Sequence, residues 1–213
     1  MSNSVSFKSR PIREINLAKN KKERIGAVFT ELLQKEDRPA IQKIYDSPEW
    51  DEASGRNHLC GDFIARKPDE SLKFYAIELA DKTKELADRI VGLFNTEVCK
   101  DNDTGKKFLD FSFAFAKPSL KFRDENLPRG HKGIGENMLA ETFRIAKEQN
   151  FDTVAITSTN NPFYEHSFKE AKLKNIKRKP LLNGIIEYRI SGSEFDKYID
   201  YVQKKYGERG VQQ

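Results

Sequence analysis

Phe108-Leu-Asp-Phe-Ser-Phe-Ala-Phe-Ala116, Gly130-His-Lys-Gly-Ile-Gly135 and Thr153-Val-Ala-Ile-Thr157 carry most of the structural information in this chain. In the first stretch, apolar residues alternate with small or polar ones. A period of two predicts a strand with Leu109, Phe111, Phe113 and Phe115 on one face and Asp110, Ser112, Ala114 and Ala116 on the other. Beyond the glycines, Ile134, Met138, Leu139, Phe143 and Ala146 recur at helical spacing up to about Gln149, and Asn150 is a suitable left-handed stop. The third stretch is short and apolar and predicts a buried strand. Strand, crossover helix and strand form a βαβ unit, so the two strands are expected to be parallel.

Around this unit the signals are shorter. Residues 5–12 alternate briefly and predict a first strand. Ile25, Val28, Phe29, Leu32 and Leu33 have helical spacing, which predicts a helix over 21–35, with a second short helix near Arg38–Tyr45. Residues 46–58 have loop composition. Leu72–Leu79 and Arg89–Cys99 are strand-like and suggest an antiparallel pair with a long connection. Asn161-Pro162 is a good helix start, Ile185–Ile190 a final strand, and 194–206 a terminal amphipathic helix with Phe195, Tyr198, Ile199 and Val202 on its apolar side. The expected fold is a single α+β domain over 1–213, with a mixed sheet of six to seven strands flanked by helices. Its motif-bearing core is 108–190, residues 1–71 form an elaborated N-terminal region, and 194–206 is its C-terminal helix.

The 213 residues carry 33% charged and 37% hydrophobic residues. No apolar run approaches the ~18–20 residues of a spanning helix, so no membrane role is expected. Residues 1–15 lack a signal-like apolar stretch, which predicts a cytoplasmic compartment. The net charge of +5 is local: segment 117–135 carries +3 and segment 169–179 carries +5, leaving −3 on the rest. That distribution points to a localised anionic ligand before a long polyanion. The basic residues lack interleaved aromatics, so no nucleic acid is expected as partner. The histidines (His58, His131, His166) and cysteines (Cys60, Cys99) have no metal-ligand spacing, so no metal is expected.

Glycines at a helix start let a ligand approach unpaired N–H groups that carry partial positive charge, which makes a phosphate site. Arg129 and Lys132 add charge. No Gly-Lys-Ser/Thr occurs, so the loop is not a Walker loop, and its place in the chain is wrong for a Rossmann loop.

With these residues in view, 127–168 (Leu-Pro-Arg-Gly-His-Lys-Gly-Ile-Gly-Glu-Asn-Met-Leu through Asn-Asn-Pro-Phe-Tyr-Glu-His-Ser-Phe) resembles the GNAT superfamily of acyl-CoA-dependent N-acyltransferases. Motif-level similarity spans about 108–190, and only element order agrees upstream. The family signature is Arg/Gln-x-x-Gly-x-Gly/Ala. Here Gly130 stands three residues before Gly133, with Arg129 one place earlier. The resemblance implies a splayed sheet and transfer of an acyl group, usually acetyl, from acetyl-CoA to an amine. It implies CoA contacts from the strand edge Phe113, Ala114, Phe115 and Ala116. It also implies contacts from the loop Arg129, Gly130, His131, Lys132, Gly133, Ile134, Gly135 and Glu136, and from Asn161.

The family places a Tyr on the helix after the second parallel strand, to protonate the departing thiolate. Counting without gaps puts Phe168 there; removing about one helical turn puts Tyr164 there, and Tyr164 is preferred. An amine acceptor must lose a proton, and Glu97 and Asp110 rank first as base, ahead of Glu78 and His131. The family's layout places the acceptor near Tyr45–Trp50, and segment 169–179 is a candidate partner for the 3′-phosphate of CoA. A non-catalytic acyl-CoA sensor on the same fold is the alternative. Monomer and homodimer both stay open.

Overall fold

Residues 72–77 alternate between two cores: Leu72, Phe74 and Ala76 face one, Tyr75 and Ile77 the other. A strand buried on both faces belongs in the middle of a sheet covered on both sides. The computed structural model describes residues 10–18, 24–47, 56–66, 71–112, 114–116, 132–159 and 161–207. Its elements begin with β1 (Arg10–Ala18), β2 (Arg24–Glu31), α1 (Gln34–Tyr45), α2 (Arg56–Ala65), β3 (Leu72–Leu79), α3 (Leu86–Arg89) and β4 (Ile90–Lys100). They continue with β5 (Lys107–Phe111), β6 (Ala114–Ala116), α4 (Ile134–Glu148), β7 (Thr153–Ser158), α5 (Asn161–Glu170), β8 (Ile176–Pro180), β9 (Ile186–Ser191) and α6 (Phe195–Tyr206).

Among the described residues the sheet has nine strands in the order β1-β2-β3-β4-β5-β7-β9-β8, with β6 paired to β4. β5 and β7 are parallel, from Leu109 opposite Val154 to Phe111 opposite Ile156, as the βαβ reading expects. The other pairings are antiparallel. One core lies under α1–α3, around Ile41, Leu59, Phe63, Phe74 and Leu93. The other lies under α4–α6, around Phe94, Phe111, Phe143, Ile156 and Tyr198. Within α4 the expected stripe is buried, and Asn150 takes a left-handed φ of +59°, ending the helix as expected. Among the described residues no helix is long and apolar enough to cross a membrane.

Nine strands exceed the six to seven expected, for three local reasons. Residues 24–31 form β2, not the front of a helix, because they pair with β1 on one side and β3 on the other. Helix α1 begins only at Gln34. The basic run near 176–180 is an edge strand, β8. The strand expected over 108–116 is broken into β5 and β6. Glu97 faces Asp110 and Phe94 faces Ala114, so two residues on β4 separate these pairs where the other strand has three. One extra residue on one strand is a β-bulge, which shifts the side-chain phase by one. Phe111 therefore joins the α4 core while Phe115 joins the α1–α2 core, and the single aromatic face predicted for this stretch does not form. The loop expected over 46–58 overlaps α2, which buries Leu59, Cys60 and Phe63.

Candidate active site

β5 and β7 pair only as far as Phe111 and Ile156. Past that point β6 stays with β4, while Thr157 and Ser158 stay with β9. The two parallel strands part there, and a cleft of about 900 Å³ opens between them. Asp110, Ser112 and Ala114–Ala116 line it from one strand, and Thr157–Thr159 from the other. Gly135 and Met138 of α4, and Phe163 and Tyr164 of α5, line it from the helices; His58 of α2 and Ile185 complete it.

Among the described residues no side chain caps the start of α4. Its N-cap is Gly133 at φ +91°, and the first helical bond runs from Asn137 N–H to the Gly133 carbonyl at 2.9 Å. The N–H groups of Ile134, Gly135 and Glu136 thus have no acceptor within the helix. A Cβ at Gly133 would sit 2.7 Å from the Tyr206 ring, and one at Gly135 would sit 2.9 Å from Phe163 Cζ. The positive φ and the ring together favour glycine at Gly133, whereas a side chain at Gly135 would require the Phe163 ring to shift. The exposed Lys132 bridges β1, its N–H donating to the Ala18 carbonyl at 2.7 Å and its carbonyl accepting from Ala18 N–H at 3.0 Å. Its amide is therefore already spent, and the open set begins after it. Arg129, Gly130, His131 and Phe113 lie outside the described residues; Asn161 opens α5, but its side chain is not among those described.

Of the two acid candidates, Tyr164 lines the cleft. Its ring meets Phe163, Phe168 and Tyr188 at 5.0, 5.9 and 5.9 Å, and burial raises its pKa. The phenol stays protonated at neutral pH and has a proton to give. Phe168 is 2% exposed and belongs to the core under α4–α6, against Tyr188 and Tyr198.

Of the base candidates, Asp110 lines the cleft and accepts a hydrogen bond from Ser112 Oγ at 2.5 Å. Burial raises its pKa, Ser112 opposes the shift, and the Glu97 and Glu187 carboxylates add to it. A carboxylate of raised pKa is a stronger base at neutral pH. Glu97 stands directly across the sheet from Asp110 but does not line the cleft. Glu78 is buried and ion-paired to Arg89 at 3.0 Å. Tyr45 is exposed at the end of α1, and Trp50 lies outside the described residues.

His58, Thr157, Ser158 and Phe163 line the same cleft, and the sequence carries little sign of them. His58 falls at the end of a stretch of loop composition whose last three residues open α2. The strand residues past Ile156 reach the cleft only because the sheet parts beside them.

Neither a protein-family model nor a curated protein matches the sequence. Solved structures do match. An uncharacterized protein from Bacillus halodurans is 12% identical with a TM-score of 0.54, over 92% of this chain and 98% of that one. The GNAT domain of S. lividans PAT is 9% identical with a TM-score of 0.53, over 84% and 96%. AtaTR, solved with AcCoA bound, is 10% identical with a TM-score of 0.53, over 80% and 96%. Identities this low establish architecture and not activity. With a sheet parting between its two parallel strands and a glycine-started helix beside the gap, the chain has the GNAT fold.

Proposed function

We propose that the chain transfers an acyl group, acetyl in the simplest case, from the thioester of acyl-CoA to an amine by direct attack. The observation that carries this is that Gly135, at the open start of α4, and Tyr164 line one cleft at the parting of β5 and β7. The solved structure of AtaTR with AcCoA bound, on the same fold, supports CoA as the ligand.

In this reading the N–H groups of Ile134, Gly135 and Glu136 hold the pyrophosphate, and the strand edge at Ala114–Ala116 aligns the pantetheine arm. Asp110 takes a proton from the acceptor amine. The amine nitrogen attacks the thioester carbon, the C–N bond forms and the C–S bond breaks. Tyr164 gives its proton to the departing sulfur, and solvent restores it. Proximity and acid–base help supply the rate, with no covalent enzyme intermediate.

The test is to follow free thiol with acetyl-CoA and a panel of amines, and to repeat it with Tyr164→Phe. The expected result is turnover lowered on the order of a hundredfold with CoA affinity little changed. Unchanged turnover removes Tyr164 as the acid. Binding of acetyl-CoA with no thiol release from any acceptor favours the sensor. If neither acetyl-CoA nor CoA raises the melting temperature, the acyl-CoA reading fails.

A further inference from the structure

Glu136 occupies the third helical position of α4, where a carboxylate ordinarily turns back onto the open N–H groups at the helix start. Such a carboxylate competes with an anionic ligand for those groups and repels it. Here it is drawn away. Its Oε2 accepts from Tyr206 O–H at 2.7 Å, and its Oε1 from Lys205 Nζ at 3.0 Å. Both partners stand at the end of α6, nearly seventy positions along the chain.

Lys205 is itself held from several sides. Its Nζ also meets Glu170 of α5 at 2.7 Å and the Tyr201 hydroxyl at 2.5 Å, and its carbonyl accepts from Arg24 of β2 at 2.9 Å. The Tyr206 ring lies against Gly133, so one residue both covers the N-cap and bonds the acid one turn later.

We infer that Lys205 and Tyr206 are positioning residues for the anion bound at the start of α4: they hold the Glu136 carboxylate aside and neutralise it, keeping the first-turn amides open. This rests on the acyl-CoA reading and extends it, because α6 then tunes a site to which it contributes no direct contact. The device acts on the phosphates of the ligand and not on its thioester arm.

The test compares CoA with S-acetylpantetheine, which has the thioester arm and no phosphate, by equilibrium binding. The proteins are wild type, Lys205→Met, Tyr206→Phe, Glu136→Gln and the double variant Lys205→Met/Glu136→Gln. Lys205→Met is expected to weaken CoA about tenfold, the scale of one uncompensated charge near an anion, and to leave S-acetylpantetheine unchanged. Adding Glu136→Gln is expected to restore CoA binding, and Glu136→Gln alone to bind CoA at least as tightly as wild type. Equal loss for both ligands, or no restoration in the double variant, gives these residues a merely structural role and overturns the inference. CoA binding by Lys205→Met equal to wild type overturns it alone. A wild type that binds no CoA overturns the acyl-CoA reading and this inference with it. Should Lys205→Met fail to fold, Glu136→Gln weaker than wild type still overturns it.

Discussion

Gly133 combines two demands that no other residue meets: a left-handed φ of +91° and a tyrosine ring 2.7 Å from where a Cβ would stand. The backbone conformation costs an L-residue about 1–2 kcal/mol, and overpacking adds about 1–3 kcal/mol. Gly133→Ala is therefore expected to lower unfolding stability by about 2–5 kcal/mol, read by urea titration. Adding Tyr206→Leu should recover the packing loss and leave the backbone loss; full recovery would mean that φ is not the constraint. The glycine itself was legible, because its place between a strong strand and a strong helix marks it. The tyrosine against it was not, since nothing in the order of residues pairs position 206 with position 133. Tyr164 and Phe168 illustrate the same limit: four residues apart on one helix, they are told apart only by which one the parted sheet leaves beside the cleft.

Elements fail to be legible where periodicity is ambiguous or where a partner overrides it. Ile25, Val28 and Phe29 of β2 and Leu32 just after it satisfy helical spacing, yet within β2 Ala27 and Phe29 are buried in period two. The bulge between β5 and β6 is likewise invisible to alternation, because it keeps the pattern of residues and changes only the partner they face. The helix that does follow, α1, carries a titration of its own. Asp37 in its first turn accepts from Leu33 N–H at 2.7 Å and is 0% exposed. Burial pushes its pKa up from 3.8 to about 6, with Glu78 and Glu36 adding to the shift. Glu78 is itself raised by burial, opposed by Arg89, the Thr30 hydroxyl and Lys82. The stability Asp37 allows is fully present below pH 3.8 and is lost as pH rises through about 6. At 1.36 kcal/mol per pKa unit the loss is about 3 kcal/mol. Asp37→Asn, which keeps an oxygen to cap Leu33, is expected to flatten the fall in stability between about pH 4 and pH 6. An unchanged slope in denaturation midpoints would remove Asp37 as its source.

At the scale of the molecule, the parallel pair was legible from one βαβ unit, while the order of the sheet, β2 and the edge strand β8 were not. The terminal helix was legible from its amphipathic pattern alone, and its consequence is a whole-molecule prediction. Phe195, Tyr198, Ile199, Val202 and Tyr206 are all buried. Phe143 of α4 stacks on Phe195 at 4.9 Å and meets Tyr198 edge-on at 5.2 Å. The Tyr198 hydroxyl bonds Ser167 of α5 at 2.6 Å, so α6 closes the core under α4 and α5. Burying each such side chain contributes about 1.5–3 kcal/mol, and five together about 10 kcal/mol, before cavity terms. Whole domains are stable by only about 5–15 kcal/mol. A chain ending at Glu194 is therefore expected to lose its cooperative unfolding transition, not to persist as a less stable form of the same fold, and calorimetry reads the difference. A truncated chain that still melts cooperatively within a few degrees of the full one would make α6 an appendage. In that case Lys205 and Tyr206 would have no rigid frame from which to hold Glu136.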